Sequence, residues 1–427
     1  MDKSQLKVTV DNYRAVRKAD IDLDGITVIT GENGSGKSTI SKFIYQSLKI
    51  SNDFDQYVDS IIENETRKYR RTFDLLGREY LNQKDYIQLK KYLKNTLYSH
   101  HLPLFDDNNG FDAVIDFLKS KIKNDIDKEK ESYRIKNILA LISEDKWTED
   151  FNSIFDKLRD EIGLMYNNAL NLKTDRDISV YMRYMNKSFK DFDFDKFSIK
   201  EFDADIINTN ENKLLPIHSI EKVFYIDSPL LLDVIDSDIK HWKDFHDYIR
   251  INFNKFDNDN EVNLILKKNI IKGDVSLNDS NLDEYLYTRE DGKIFNLLNC
   301  ATGLKSFSIL QMLGNSGAFD HNTLMIIDEP EAHLHPQWVV EYARLIVLLN
   351  KNLGVKFLIA SHHPDMISAL KYIANEEMAE EGLNYYLAKR YRKTYTYNYK
   401  KLGTDIEEIF TSFNVALDRI EQYGKEN

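Results

Sequence analysis

The chain has 427 residues and a formal net charge of −12 at pH 7, so it has room for two or three domains and lacks a generally basic surface. Its single cysteine, Cys300, excludes an internal disulfide and a cysteine-rich zinc site and predicts a reducing, cytoplasmic setting. Residues 1–7 are polar and no apolar run approaches the roughly 18 residues of a membrane helix, so neither export nor membrane contact is expected.

Two short strands, 6–10 and 20–23, are predicted first, and a third at 26–30 leads into a glycine-rich loop and an apolar-striped helix. Strand, loop and helix in this order predict a P-loop. Its glycines let successive N–H groups face a phosphate, Lys37 neutralises phosphate oxygens and Ser38 can ligate Mg²⁺. The predicted phosphate-binding residues are Gly31, Glu32, Asn33, Gly34, Ser35, Gly36, Lys37, Ser38 and Thr39.

Residues 51–210 have a different character, because glycine and proline are scarce and apolar residues recur at three- and four-residue intervals on charged helices. This pattern predicts a compact helical insertion, a lid or a partner-binding subdomain. No heptad is sustained, so a long coiled coil is not expected. The basic run 67–71 leaves two interpretations open, a solvated helix face or a contact to nucleic-acid phosphates, and charge runs are usually solvated.

Beyond the insertion, a strand is predicted at 222–226, and Asp291-Gly292 between alternating strands predicts a hairpin. The apolar run 323–327 then predicts a buried parallel strand that ends in Asp328 and Glu329. Asp328 can hold Mg²⁺ through water, and Glu329 can polarise an attacking water. A zinc site at the two following histidines, His333 and His335, is the weaker alternative, since no third clustered ligand is present.

The last part of the chain predicts another buried strand, 355–360, followed by Ser361, His362 and His363. Alternating tyrosines between 391 and 399 are interleaved with lysines and arginines. They leave two interpretations open, a nucleic-acid stacking surface or an amphipathic hairpin at a sheet edge, and the hairpin is favoured.

Taken in order, the segments "VDNYRAV…IDLDGITVITGENGSGKST", 300–307, "DEPEAHLHP" and "SHHPD" resemble the RecF, SMC and OLD group of ABC-type ATPases. The resemblance implies an α/β fold, an ABC-type P-loop ATPase domain with a mixed sheet, built from residues 1–50 and 211–427 around the helical insertion 51–210. It covers only the ATPase half of the OLD proteins, and no Toprim nuclease domain is expected.

The resemblance also implies roles for particular residues. Thr302 and Gly303 match the signature motif, which meets ATP held by the other subunit, and His362 matches the histidine that bonds the γ-phosphate. Tyr13 and Arg14 match a turn near the nucleotide, although surface side chains are an equal alternative there. The glutamine of the Q-loop is missing; Asp227 or Ser228 could replace it, or its function could be lost.

The implied function is ATP binding with Mg²⁺ and ATP hydrolysis that drives a homodimer to assemble and open, with higher oligomers left open. Two biological roles compete. The first is a sensor or scaffold that controls a separate effector protein, as in anti-phage systems such as PARIS and Septu. The second is a RecF-like DNA-repair clamp, which leaves nucleic acid open as a partner. The acidic charge and the missing coiled coil favour the first role.

Overall fold

The computed structural model describes residues 6–98, 109–126, 129–139, 142, 151–190, 192–233, 239–253, 270–278, 281–378, 382–403, 405–411 and 422–423. The chain divides into two compact units. The first comprises Met1–Asn52, Met185–Asn208 and Leu215–Asn427, and the second comprises Asp53–Tyr184 and Thr209–Leu214.

The strands, in chain order, are β1 Leu6–Tyr13, β2 Val16–Asp22, β3 Ile26–Gly31, β4 Phe197–Glu201, β5 Ala204–Asp205, β6 Ile207–Asn208, β7 Lys213–Leu214, β8 Lys222–Ile226, β9 Gly273–Asn278, β10 Asn281–Arg289, β11 Ile294–Asn296, β12 Thr323–Asp328, β13 Lys356–Ala360, β14 Leu383–Arg390 and β15 Tyr397–Gly403. The helices are α1 Lys37–Asn52, α2 Phe54–Tyr80, α3 Gln83–Tyr98, α4 Asn109–Ile126, α5 Glu129–Leu139, α6 Phe151–Asp175, α7 Ile178–Ser188, α8 Lys240–Asn252, α9 Thr302–Asn315, α10 Pro336–Leu353 and α11 Pro364–Met378.

The first unit is built on a ten-stranded mixed sheet with the order β5-β4-β1-β2-β15-β14-β3-β13-β12-β8. Five neighbouring strands, from β14 to β8, are parallel, with Ile359 of β13 opposite both Val28 and Ile327. Their side chains are almost all buried, as expected for parallel strands covered on both faces. The carboxyl ends of β3, β12 and β13 therefore meet at one edge of the sheet, where ligands bind in open α/β folds. The predicted α/β fold with a mixed sheet is confirmed.

Two details of the sheet differ from the sequence-based expectations. The tyrosine strand β15 lies inside the sheet, between β2 and β14, and not at its edge. Residues 197–201 form β4, which pairs with β1, so the first unit extends back to Met185. The helical unit thus has its main boundary at Tyr184, before the predicted boundary at 210, and the short segment Thr209–Leu214 also belongs to it. Both features depend on long-range strand pairing, which a local pattern does not specify.

The core of the first unit packs α9, α10 and α11 against the parallel strands. From Lys305 to Asn315 every residue of α9 is buried, and Phe307 makes edge contacts with the rings of Trp338 and Tyr342 on α10. On α1, apolar residues three or four positions apart give the buried face, which includes Ile40, Phe43, Ile44 and Leu48. This packing fixes the start of α1 beside the end of β12.

The second unit is helical, with its own core between α2, α3, α4, α5 and α6. The predicted stripe on α4 is buried in that core; it comprises Phe111, Val114, Ile115, Leu118 and Ile122. The long helix α2 contributes Tyr69, Phe73 and Leu76. Among the residues that the structure describes, none of the helices combines the length and apolar character needed to cross a bilayer.

Candidate active site

The P-loop connects the end of β3 to the first residue of α1, in a conformation that its glycines make accessible. Gly34 and Gly36 have φ angles of 80° and 100°, a region that side chains disfavour. A Cβ atom on Gly36 would lie 2.5 Å from Cγ2 of Val16, whereas nothing lies within 4 Å of one built on Gly34. Glu32, Asn33 and Gly34 are exposed, so the crest of the loop is open while its base is tightly packed.

Lys37 begins α1 and folds back over the loop that precedes it. Its Nζ donates hydrogen bonds to the carbonyl oxygens of Gly31, at 2.8 Å, and Glu32, at 3.2 Å. Burial lowers the pKa of the Lys37 amine. The groups that oppose this shift are the carboxylates of Glu329, Asp328 and Glu331. The P-loop lysine and the acidic residues after β12 therefore lie in one electrostatic environment.

Two tyrosines of β15 hold the P-loop from the side. Tyr397 donates its hydroxyl to Oε2 of Glu32 at 3.1 Å, and Tyr399 donates to the carbonyl of Ser35 at 3.3 Å. Both side chains are buried. Of the alternating tyrosines, these two support the loop, whereas Tyr395 is 83% exposed. No local sequence pattern indicates this role, because it follows from the interior position of β15.

Ser35 is the clearest sign that the loop is built for a ligand. Its side chain is fully buried, yet among the described residues its Oγ has no hydrogen-bond partner. Leaving a buried hydroxyl unpaired costs about 1–3 kcal/mol. A phosphate oxygen bound in the loop would give this hydroxyl an acceptor. The loop therefore fits a phosphate group.

Asp328 ends β12 and is held by three hydroxyl groups. Ser41 donates to its Oδ1 at 2.7 Å, and Tyr225 donates to its Oδ2 at 2.9 Å. Ser38 also hydrogen-bonds to it. Burial raises the pKa of Asp328, and these hydrogen bonds oppose the rise. Ser38 and Asp328 thus bring together hard oxygen donors of the kind that Mg²⁺ prefers.

Tyr225, on β8, is a contact that the sequence did not predict. The two residues proposed to replace the Q-loop glutamine were Asp227 and Ser228. Asp227 is already engaged, since it accepts a hydrogen bond from Nε1 of Trp242 at 2.9 Å and lies 3.0 Å from Nε2 of His241. From this strand it is therefore Tyr225 that reaches the buried carboxylate of β12.

Glu329 and His362, the two predicted catalytic residues, are in contact. Nδ1 of His362 lies 3.3 Å from Oε1 of Glu329. Glu329 has a φ angle of 49°, which is unusual for a residue with a side chain, and its N–H donates to the carbonyl of Ala360 at 2.7 Å. Such strained backbone conformations are common at functional sites. This one keeps the carboxylate about half exposed beside His362.

Glu331 is a further acidic residue of the site, and it is not among the residues predicted from the sequence. It is 7% exposed, and Ser361 donates its hydroxyl to Oε1 at 2.9 Å. Among the described residues, its Oε2 has no hydrogen-bond partner. Burial raises the pKa of the Glu331 carboxyl, although the Ser361 hydrogen bond and His362 oppose the rise. The sequence feature that could have indicated this residue is the second glutamate of the Asp-Glu-Pro-Glu segment.

The predicted signature residues lie at the start of α9. Gly303 is buried, and a Cβ atom there would lie 2.8 Å from the Trp338 ring and 3.3 Å from Leu334. The glycine is therefore required for packing against α10. Ser306, the next hydroxyl residue along α9, is buried and donates to the carbonyl of Thr302 at 3.2 Å. Thr302 is half-buried and remains the candidate for a contact in trans.

The two predicted nucleotide contacts in the turn between β1 and β2 differ in their exposure to solvent. Tyr13 is buried, donates its hydroxyl to the carbonyl of Lys190 at 3.2 Å and packs edge-on against Phe197. Tyr13 is therefore a core residue and not a surface turn residue, and its contact with the nucleotide stays a prediction. Arg14 is exposed, and its nucleotide contact stays a prediction.

The zinc alternative finds no support in the described residues, where no group of three or more histidine, cysteine or acidic side chains could hold a metal. His335 instead caps α10, because its Nδ1 accepts the N–H of Gln337.

The chain is similar to several known proteins. A family model described as "AAA domain, putative AbiEii toxin, Type IV TA system" matches residues 26–368. The "DNA double-strand break repair Rad50 ATPase" of Methanosarcina acetivorans is 41% identical over 78 residues, which are 17% of this chain and 7% of that protein. The "Old nuclease" of Escherichia phage P2 is 31% identical over 103 residues, 24% of this chain and 16% of that protein. The chain thus spans only a small part of these two relatives.

Solved structures of SMC heads are also similar. The Smc head domain with an extended coiled coil bound to the C-terminal domain of ScpA, from Pyrococcus furiosus, is 13% identical; the match covers 98% of both chains with a TM-score of 0.35. The SMC head domain from Thermotoga maritima is 9% identical; the match covers 93% of this chain and 98% of that one, also with a TM-score of 0.35.

Proposed function

The chain belongs to the AAA-domain family whose description names the AbiEii toxin, because that family's model covers residues 26–368, and from this premise we propose that it binds and hydrolyses ATP. The observation that carries the proposal is the arrangement around Lys37. The carboxylates at and after the end of β12 oppose the lowering of the pKa of its amine by burial. One of them belongs to Glu329, which is in contact with its proposed catalytic partner His362.

Each residue has a distinct part in the proposed reaction. Lys37 leaves its loop carbonyls and neutralises the β and γ phosphate oxygens, while the free Ser35 hydroxyl gains an acceptor. Glu329 orients and polarises the attacking water, and His362 donates to the γ-phosphate. Because phosphoryl transfer depends mainly on positioning and charge, the contact between Glu329 and His362 supports the assignment.

Ser38 and Asp328 would hold Mg²⁺, which supplies positive charge to the phosphate oxygens when it is bound. Asp328 keeps its orientation through Ser41 and Tyr225, which donate to different carboxylate oxygens. Such outer hydrogen bonds orient metal-binding carboxylates. The direct test of this assignment is phosphate release with and without Mg²⁺, compared between the native protein and Lys37→Ala, which should lose nucleotide binding.

We further propose that two copies assemble around ATP, because the N-terminal end of α9, with Thr302, would complete the site of a partner subunit. A two-fold interface would then make two composite sites. Turnover per subunit should therefore rise with protein concentration. Turnover that is constant from dilute monomer to concentrated protein would contradict the shared site.

For the biological role, we propose a sensor or scaffold ATPase that controls a separate effector protein in anti-phage defence. The family's description refers to a toxin–antitoxin system, which fits an ATPase that acts together with a second protein. The net charge of −12 also gives no general support to a DNA clamp. Co-expression with the product of the neighbouring gene should give an ATP-dependent complex.

A DNA-repair ATPase is the second candidate, favoured by the 41% identity to the Rad50 ATPase over 78 residues. The two roles differ in a simple measurement. A clamp should bind duplex DNA only with ATP and lose affinity steeply as salt rises. A scaffold for an effector protein should show no such ATP-dependent DNA binding.

A further inference from the structure

Glu331 is buried and anchored beside the P-loop through Ser361. Ser361 donates its hydroxyl to Oε1 of Glu331 at 2.9 Å and accepts the N–H of His363 at 3.1 Å, so its proton points at the carboxylate. The N–H of Ser361 donates to the carbonyl of Ile29 on β3, the strand that leads into the P-loop. One oxygen of Glu331 is therefore occupied, whereas Oε2 is buried and, among the described residues, has no hydrogen-bond partner.

Nδ1 of His362 is a second buried atom without a partner, and it lies next to Glu331. It is 3.3 Å from Oε1 of Glu329 and 3.9 Å from Oε1 of Glu331, yet within the described part of the chain it makes no hydrogen bond. The His362 side chain is 42% exposed, so the ring opens to solvent on the side away from Nδ1. Unpaired buried polar atoms are rare in native proteins. A nitrogen that can donate and an oxygen that can accept are thus left unpaired on neighbouring side chains.

The two carboxylates near His362 differ in how firmly they can hold its ring. The Glu329 side chain is 47% exposed, so water screens its charge. The Glu331 side chain is 5% exposed, and its attraction for a positively charged ring is screened much less. A shift of roughly 1 Å would shorten the 3.9 Å separation between His362 and Glu331 to the length of a hydrogen bond. Glu331 is therefore the stronger partner for the ring.

We propose that Glu331 is the positioning residue of His362: its carboxylate accepts the Nδ1–H, which leaves Nε2 to donate to the γ-phosphate and Glu329 to act on the attacking water. This inference rests on the proposed ATPase function. The hydrogen bond at one ring nitrogen sets what the other nitrogen can do. With both nitrogens donating, the ring is positively charged, a form favoured by the carboxylate on one side and the phosphate on the other.

A double-mutant cycle of Glu331→Gln and His362→Ala in the full-length protein tests the proposal, with phosphate release at saturating ATP and Mg²⁺ as the readout. Glu331→Gln alone should lower turnover by about tenfold, because the ring loses its charged partner. In the His362→Ala background the same change should cause no further loss, since Glu331 acts through the ring. Glu331→Gln should also lower the affinity for ATPγS severalfold relative to that for ADP, which lacks the γ-phosphate.

Asp365→Asn is the matched control, because the Asp365 carboxylate lies at the same distance, 3.9 Å, from Nδ1 of the neighbouring His363. It removes the same charge and should leave turnover at the native rate. Ser361→Ala removes the hydroxyl that anchors Glu331, and it decides the question if Glu331→Gln does not fold. It should lower turnover in the native background and have no effect in the His362→Ala background.

The proposal is overturned if the losses from Glu331→Gln and His362→Ala multiply in the double variant, because Glu331 would then act independently of the ring. Native turnover by Glu331→Gln, or an equal loss in Asp365→Asn, would also overturn it. If one of these results is found while Lys37→Ala still loses nucleotide binding, the ATPase function stands and only the positioning role fails. Absence of ATP turnover in the native protein would instead refute the proposed function, and this role with it.

Discussion

Nδ1 of His362, at the end of β13, lies 3.3 Å from Oε1 of Glu329, at the end of β12. The neighbouring strands are parallel and pair Asp328 with Ala360, so the loops that follow them start side by side. The hydrogen bond from the Glu329 N–H to the carbonyl of Ala360 fixes this register at the proposed catalytic residue. The contact couples the residue proposed to detect the γ-phosphate with the one proposed to activate water.

Replacement of His362 by alanine should lower ATP turnover by about 100-fold, the usual loss when one transition-state donor is removed, while ATP still binds. His363→Ala is the control, since this histidine contacts Asp365 instead. Steady-state phosphate release and equilibrium nucleotide binding measure the two effects. Equal losses in the two variants would contradict the role given to His362.

Tyr225→Phe should lower the apparent affinity for Mg²⁺ in the ATPase reaction by about tenfold, because Asp328 loses one of the donors that orient it. Tyr385→Phe is a matched control. It removes a buried hydroxyl whose hydrogen bond goes to the carbonyl of Ile367, away from Asp328. Magnesium titrations of turnover make the comparison. The assignment fails if both variants have the magnesium dependence of the native protein.

Glu331 predicts a pH dependence of stability. Burial raises the pKa of its carboxyl above the ordinary value of 4.5, so between the unfolded and folded pKa values the folded protein holds a proton that the unfolded chain releases. The free energy of unfolding therefore falls as pH rises through that window, by about 1.4 kcal/mol per unit of pKa difference in total.

Glu331→Gln cannot release this proton, so its stability should fall less than that of the native protein as pH rises above 4.5. Urea unfolding of the nucleotide-free protein at a series of pH values measures the difference. Parallel curves for the two proteins would show that Glu331 does not carry the effect.

The parts of the site that were predictable are those whose residues are adjacent in sequence. The P-loop, Asp328 and Glu329, and His362 each follow a buried strand, and parallel strands bring their carboxyl ends together. Tyr225, Tyr397 and Tyr399 reach the site through pairing between distant strands. Because β15 inserts between β2 and β14, its tyrosines face the P-loop, and no local period could indicate that neighbour.

Gly303 is a second residue whose role could not be predicted from its local sequence. Its match to the signature motif indicated a role toward a partner's nucleotide, whereas the structure gives it a packing role against Trp338. A substitution at Gly303 would therefore disturb the core as well as any shared site. Ala301, exposed immediately before α9, is the better position for a test.

Ala301→Glu should place a carboxylate toward the partner's γ-phosphate and abolish turnover, while each subunit still binds ATP. Mixed with Lys37→Ala, it should regain activity, because both defects then fall in one composite site and the other site is intact. Turnover and nucleotide binding of the separate and mixed variants test this. Native turnover by Ala301→Glu alone would contradict the contact in trans.

The proposed role of Glu329 is to activate water for ATP hydrolysis at the site held by Lys37, and the retention of ATP by Glu329→Gln is the sharpest test of that role. After incubation with ATP and Mg²⁺, the nucleotide that stays bound to the protein is identified. The oligomeric state of the nucleotide-bound protein is measured in the same sample. Glu329→Gln should retain uncleaved ATP in a dimer, with turnover lowered by about 10²- to 10⁴-fold, whereas Lys37→Ala should retain none. Hydrolysis by Glu329→Gln at the native rate would contradict this role.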